Sequence, residues 1–414
     1  MQKITYSRFE QELNTFLKEY LADDSYDLLR ERLDLHEKES NSVSEKINEF
    51  YREQLQIDRY PAKDRIRVDR IITFSEKSLP TEKFCKMLNE IARICLSEGN
   101  IDLANEIFRK AKKLTKNNLT KAESLLGIAD VFSRKSRWTK SLESLNDAKA
   151  LFKSNSDYRG LAKCENFLGT IFGELGNISK AKKHLLTSLS LINSDEDLEL
   201  AANLYSNLGI VYSILENPEV SINHLNKALS IYNKLSKNKS AAEVILNIGI
   251  VNYESENYNA AMDALDKAVE ASKSGGFVSI LGLTYLAKAQ VLIKLKNFHY
   301  ATEFANKALE ISHNSGDKLT LADIYRVKGI IERHLENFKA SETYLLNSLR
   351  INNSLNNDLN VAETSIELGL LYEKMNDAEA KNSYLQKSQE YYRNIEATAK
   401  VNMIEEMLGF STAI

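Results

Sequence analysis

Proline is nearly missing from this chain, with three in 414 residues, and glycine is sparse, at 15. No stretch rich in Pro, Gly or Ser divides it. That excludes domains strung on flexible linkers and argues for one continuous, mostly helical body. The three cysteines, Cys85, Cys95 and Cys164, form no CxxC pair and no even framework. Neither a disulfide scaffold nor a zinc site is expected. Charge is nearly balanced, at -3, so nothing marks a nucleic-acid or anionic-membrane surface. The most basic stretch, Arg59–Arg70, has acidic residues interleaved and reads as a solvated helix face. The start, "MQKITYSRFEQELNTF", lacks the apolar core of a secretory leader. The longest nearly apolar run, Ser279–Ile293, contains Lys288 and falls short of the roughly 20 residues that a membrane helix needs. These absences point to a cytoplasmic protein. HExxH, GxSxG, GxGxxG and GKS/GKT are missing as well. "KSGGF" (Lys273–Phe277) follows no strand and reads as a loop. No catalytic residue, metal or cofactor is expected.

A chain of this length exceeds the roughly 250–300 residues of a single core. What it contains instead is a repeat. "NLGIVYSILEN" (Asn207–Asn217) returns as "NIGIVNYESEN" (Asn247–Asn257). Small residues fall at Ala92, Ala129, Gly169, Gly209, Gly249, Ala289, Gly329 and Gly369, one step of 37 and then steps of 40. Eight residues after each stands Asn100, Arg137, Asn177, Asn217, Asn257, Asn297, Asn337 or Asp377. Periods of 20–50 residues mean stacked supersecondary units. Each unit reads as two helices. The first has apolar positions at three-and-four spacing, as in Leu204–Leu215. A glycine inside a helix costs about 1 kcal/mol, which makes sense where a neighbouring helix must come close. The Asn suits a left-handed turn ending the first helix. On the second helix Ala104, Ala181, Ala261 and Ala301 share one position, and Ala111, Ala148, Ala228, Ala268 and Ala308 another; both are expected helix contacts. Pro61, Pro80 and Pro218 fit first turns. Short polar breaks such as "SKNKS" and "NNSLNND" close the units.

A small residue, an aromatic three later (Phe132, Phe172, Tyr212, Tyr372), Asn eight later, often an aromatic next (Trp138, Tyr258, Phe298, Phe338), then two alanines: this pattern resembles the tetratricopeptide repeat. The 40-residue form is similar to arrays in kinesin light chains, Rap-type regulators and bacterial sensor proteins. Asn252 and Glu332 depart from it where an aromatic is expected. The resemblance implies an all-α fold, a right-handed superhelical solenoid of helix hairpins. About eight units would fill residues 80–395, with a capping helix and tail at 396–414. Residues 1–79 read as helical but outside the frame, either eroded repeats or a separate bundle.

The resemblance also implies a concave groove lined by the first helices, where a peptide or partner helix lies. The expected inner positions include Lys163, Asn166, Asn203, Ser206, Asn207, Ile210, Glu243, Asn247, Ile250, Gln290, Arg326, Arg333 and Glu363. Asn207 and Asn247 match the asparagines that hold peptide backbone in similar arrays. An amide both donates and accepts, so it can pair with any extended chain. Arg326 and Arg333, two turns apart, form either an anion contact or pairs with Asp323 and Glu332. His184 and His224 share a frame position and read as solvent-edge polar residues, with a metal pair as the sharper alternative. The expected partner is a protein or peptide, with no nucleic acid and no membrane insertion. The expected role is a non-enzymatic scaffold or adaptor, alternatively a peptide-responsive Rap-like regulator. A third reading places the output domain on another polypeptide.

Overall fold

The computed structural model describes residues 8–33, 63–135, 137–315, 318–355, 357–395 and 397–409. Every regular element among them is an α-helix. Helix α1 spans Arg8–Tyr20, α2 covers 23–33 and α3 spans Lys63–Ser78. Helix pairs follow: α4 (Thr81–Ser97) with α5 (Ile101–Leu114), α6 (Asn118–Arg134) with α7 (Trp138–Ser154), and α8 (Tyr158–Glu174) with α9 (Ile178–Ser190). Next come α10 (Leu198–Ile214) with α11 (Pro218–Lys234), α12 (Asn238–Glu254) with α13 (Tyr258–Gly275), and α14 (Val278–Lys294) with α15 (Phe298–Ser315). The last pairs are α16 (Lys318–His334) with α17 (Phe338–Ser354) and α18 (Asp358–Lys374) with α19 (Ala378–Asn394), before α20 (Thr398–Leu408). The pairs are numbered here as repeats 1 to 8. Among the described residues no helix is long and apolar enough to cross a membrane.

The chain forms two compact units, one of residues 1–174 with 183–193, the other of 175–182 with 194–414. In the first, α1, α2 and α3 share a core with repeat 1. Leu13, Leu17, Leu29 and Ile71 are buried together with Met87, Ile91 and Phe108. The helices before Thr81 therefore extend the hydrophobic core of repeat 1. Residues 34–62, with Pro61, lie outside the described residues. Within α3, Arg67 is only 7% exposed, so the basic stretch is not a solvated face throughout. Its apolar neighbours Val68 and Ile71 draw that side of the helix inward.

In the second unit the glycine of each frame meets a leucine of its own second helix. A Cβ at Gly209 would stand 2.6 Å from the Leu225 side chain and 3.3 Å from the Ser221 carbonyl. Gly329 meets Leu345 and Ser341 at the same distances. Repeat 6 carries Ala289 instead, and the residue facing the same slot is Ala305; both are fully buried. Volume is exchanged across the interface, as close packing demands. The repeated alanines Ala104, Ala181, Ala261, Ala301, Ala111, Ala148, Ala228, Ala268 and Ala308 are all 0% exposed. Where serine replaces alanine, the hydroxyl ties the hairpin shut. Ser221 Oγ donates to the Gly209 carbonyl and Ser341 Oγ to that of Gly329, both at 2.7 Å. In the first unit Ser141 Oγ does the same to Ala129 at 2.7 Å.

The frame asparagine is not the left-handed residue. That conformation falls one position earlier, at Gly99, Gly176, Glu216, Glu256, Lys296, Glu336 and Asn376. The asparagine instead starts the second helix. Asn217 Oδ1 accepts from the Val220 amide at 3.3 Å, and Asp377 Oδ1 from Ala380 at 3.0 Å. An N-cap needs a short acceptor side chain, which explains why Asp substitutes for Asn. The polar breaks are also shorter than they read. Lys273 to Gly275 complete α13, and the left-handed Gly276 ends it. Pro218 occupies the first turn of α11, whereas Pro80 is the N-cap of α4.

Candidate functional site

Successive first helices touch each other within each unit: α4 with α6 and α6 with α8 in one, α10, α12, α14, α16 and α18 in sequence in the other. Their facing side chains form columns spaced by the repeat. One frame position is held by Glu123 and Lys163 in the first unit, and by Asn203, Glu243, Leu283, Asp323 and Glu363, which form a column, in the second.

In repeats 1 to 3 this row is neutralised internally. Lys163 Nζ reaches Glu123 Oε1 at 2.8 Å, and Arg93 grips the other oxygen while also meeting Glu90. Burial pushes the Glu123 carboxyl up, but the Arg93 and Lys163 cations outweigh it and hold the carboxyl below its ordinary range. Lys163 is therefore engaged by its own chain. Asn166 is half-buried one turn further on.

Repeats 7 and 8 are neutralised as well. Arg326 pairs with Glu363 of the next repeat and, at 3.3 Å, with Asp323. Arg333 meets the Glu367 carboxylate at 2.7 Å and the Glu367 carbonyl at 3.0 Å. Burial alone would lower the Arg326 pKa, and the surrounding carboxylates raise it instead. Glu332 is not among these partners; it accepts from Asn337 at 2.8 Å.

Repeats 4 to 6 differ. Asn203, exposed, accepts at its Oδ1 from the Tyr232 hydroxyl at 2.5 Å. Burial, then the Glu243 and Glu199 carboxylates, push that phenol up. Asn207 and Asn247 lie on the corresponding turns of α10 and α12, both half-buried. Asn247, Glu243 and the half-buried Gln290 make no hydrogen bond or ion pair within the described residues. Ile210 and Leu283 beside them are 41% and 39% exposed, and Ile250 is half-buried. The expected residues thus separate into two ion-paired groups and one amide-rich stretch, in which Asn247 and Gln290 make no hydrogen bond among the described residues.

The histidines are not solvent-edge residues. His184 stacks on Phe172 with centroids 5.2 Å apart, and its Nδ1 lies 2.7 Å from Glu165. His224 stacks on Tyr212 at 5.3 Å, and burial lowers its pKa. Tyr372 and Tyr384 repeat this geometry at 5.6 Å. Each pair glues the two helices of one hairpin. Among the described residues no group of three or more His, Cys, Asp or Glu is placed to hold a metal. All three cysteines are buried, and burial beside Glu123 pushes the Cys164 thiol up to about 12. A thiol held protonated is a poor nucleophile.

Two buried lysines escaped the sequence reading. Lys288 and Lys328 stand where other repeats carry Leu208, Ile248 or Leu368. Lys288 pairs with Asp266 and lies 4.5 Å from the Phe304 ring centroid. Lys328 donates to Asn306 at 2.5 Å and lies 5.0 Å from the Tyr344 ring centroid. The ring sixteen residues further in each case was the available signal.

Residues 200–274 and 86–118 match two models of the tetratricopeptide repeat. The chain carries tetratricopeptide repeats. No curated protein matches it in sequence. Tetratricopeptide-like solved structures match along nearly its whole length. Aspartyl phosphate phosphatase F from Bacillus subtilis is 14% identical, with a TM-score of 0.55, covering 97% of each chain. The apo form of RapI is 16% identical, with a TM-score of 0.53, covering 93% of this chain and 99% of its own. The apo quorum sensor NprR from B. thuringiensis is 17% identical, with a TM-score of 0.54, covering 86% and 99%. At these identities the likeness is one of fold.

Proposed function

We propose that this tetratricopeptide-repeat chain is a non-enzymatic adaptor that holds an extended segment of a partner protein along the first helices of repeats 4 to 6. The observation that carries this reading is the contrast within one row of helices. Arg326 and Arg333 are ion-paired with carboxylates of their own chain, whereas Asn247 and Gln290 make no hydrogen bond among the described residues. An open amide on a half-buried surface is costly unless water or a ligand completes it. The exposed Ile210 and Leu283 supply apolar area on either side. Affinity capture from the native cell, with the intact chain beside a variant carrying Asn203→Ala, Asn207→Ala and Asn247→Ala, tests the reading. A partner lost with the variant supports it; unchanged capture of every partner contradicts it.

A second reading, a peptide-responsive regulator, draws on the whole-length match to RapI and to the quorum sensor NprR. In that reading the N-terminal helices grip a signalling protein and groove occupancy changes the superhelix. A radius of gyration that falls on peptide binding favours the regulator, and an unchanged one the adaptor.

A further inference from the structure

We infer that the segment held by repeats 4 to 6 carries a positively charged side chain, lysine or arginine, seated on Glu243. This rests on the groove reading above. Seven repeats share the frame position of Glu243. Four of the seven residues there are acidic: Glu123, Glu243, Asp323 and Glu363. Glu123 has Arg93 and Lys163, while Asp323 and Glu363 have Arg326. Among the described residues Glu243 has no cation within ion-pair distance and no hydrogen-bond donor.

Its surroundings make that vacancy specific. One repeat before it in the column, Asn203 is occupied by the Tyr232 hydroxyl. One repeat after it, the column holds Leu283, which offers no charge. Lys237, the nearby cation at the foot of α12, is held by Glu199 at 3.1 Å. Lys239, on the preceding turn, lowers the Glu243 pKa less than burial raises it. Glu243 is exposed, and its carboxylate stands without the cation that the same frame position has in repeats 2, 7 and 8. One turn further along α12, Asn247 presents its open amide. The pair matches one residue of an extended chain, the amide taking the backbone and Glu243 the side-chain cation. First helices about 10 Å apart place the three repeats across about 20 Å, the reach of about six extended residues. A charge-assisted contact of this kind is worth up to about fivefold in affinity.

A phage-displayed library of random heptapeptides, selected on the full-length chain, tests this directly. Glu243→Gln, Glu243→Lys and Asn247→Ala are selected in parallel. The expected result is a peptide set that depends on Asn247 and is enriched in Lys or Arg at one position. Glu243→Gln abolishes that enrichment and weakens the best peptide up to about fivefold, and Glu243→Lys shifts the position to Asp or Glu. Peptides that depend on Asn247 but show no basic position overturn this inference and leave the groove reading standing. Selection of no peptide that depends on Asn247 overturns both.

Discussion

Glu123 and Glu243 occupy the same place in their repeats, three repeats apart, and the chain treats them in opposite ways. Glu123 is clamped by Arg93 and Lys163, and its carboxyl is held below the ordinary range. Glu243 has no such clamp, and burial raises its carboxyl. One frame position therefore serves two purposes. Paired, it staples successive first helices together. Unpaired, it leaves charge for something else. The stapled pattern recurs at repeats 7 and 8 through Arg326 and Arg333, so the amide-rich stretch of repeats 4 to 6 stands out against it.

The comparison can be broken at its strongest staple first. Arg326→Ala strands Glu363 and Asp323, which are mostly buried, and should cost about 3 kcal/mol, read from the urea midpoint. A loss below about 0.5 kcal/mol would mean that the network is ornamental. Glu123→Gln should cost less, about 1–2 kcal/mol, because Lys163 and Arg93 stay partly hydrated. This second loss depends on pH. The folded carboxyl is depressed, so its contribution is present above the unfolded value near 4.5 and disappears as pH falls through the folded value. The variant should therefore lose its deficit in acid. Glu243→Gln reverses the sign. A raised carboxyl favours the fold more as pH drops toward 4.5, so removing the charge should leave stability at neutral pH unchanged or slightly higher. Thermal melts at pH 7 that showed a clear loss would contradict the unpaired account.

A further substitution acts on binding more than on stability. Leu283→Lys places a cation forty residues after Glu243, the spacing at which Lys163 pairs with Glu123. It should add at most about 1 kcal/mol, since an exposed pair is worth little. It should also abolish binding of a basic segment, because the chain would then supply its own cation. Isothermal titration with a selected peptide measures this; unchanged affinity would show that Glu243 is not the contact.

The fold was largely legible because packing writes a strict period. Gly209, Gly249, Gly329 and Gly369 recur where a leucine side chain leaves no room for a Cβ, and the buried alanines recur with them. The Asn frame was legible as a signal but not as geometry. At Asn177, Asn217 and Asp377 the side chain caps the next helix, while residues such as Glu216 and Lys296 take the left-handed turn that composition assigns to Asn or Gly. The row of candidate residues was legible by position alone. Which of them are already occupied was not, because pairing depends on partners 34 to 40 residues away, such as Glu367 for Arg333 and Glu123 for Lys163. Opposite charges one period apart carried that information. The histidines misled for a related reason: His184 and His224 look polar in sequence, yet their rings pack flat on Phe172 and Tyr212.

The most direct measurement is photo-cross-linking in the native cell from two positions of one column. A benzophenone amino acid at Ile210 probes the open stretch, and one at Leu370 probes the stapled end. The account predicts a partner adduct from Ile210, lost with Asn247→Ala, and none from Leu370. An adduct from Leu370 alone, or equal adducts from both, would contradict it.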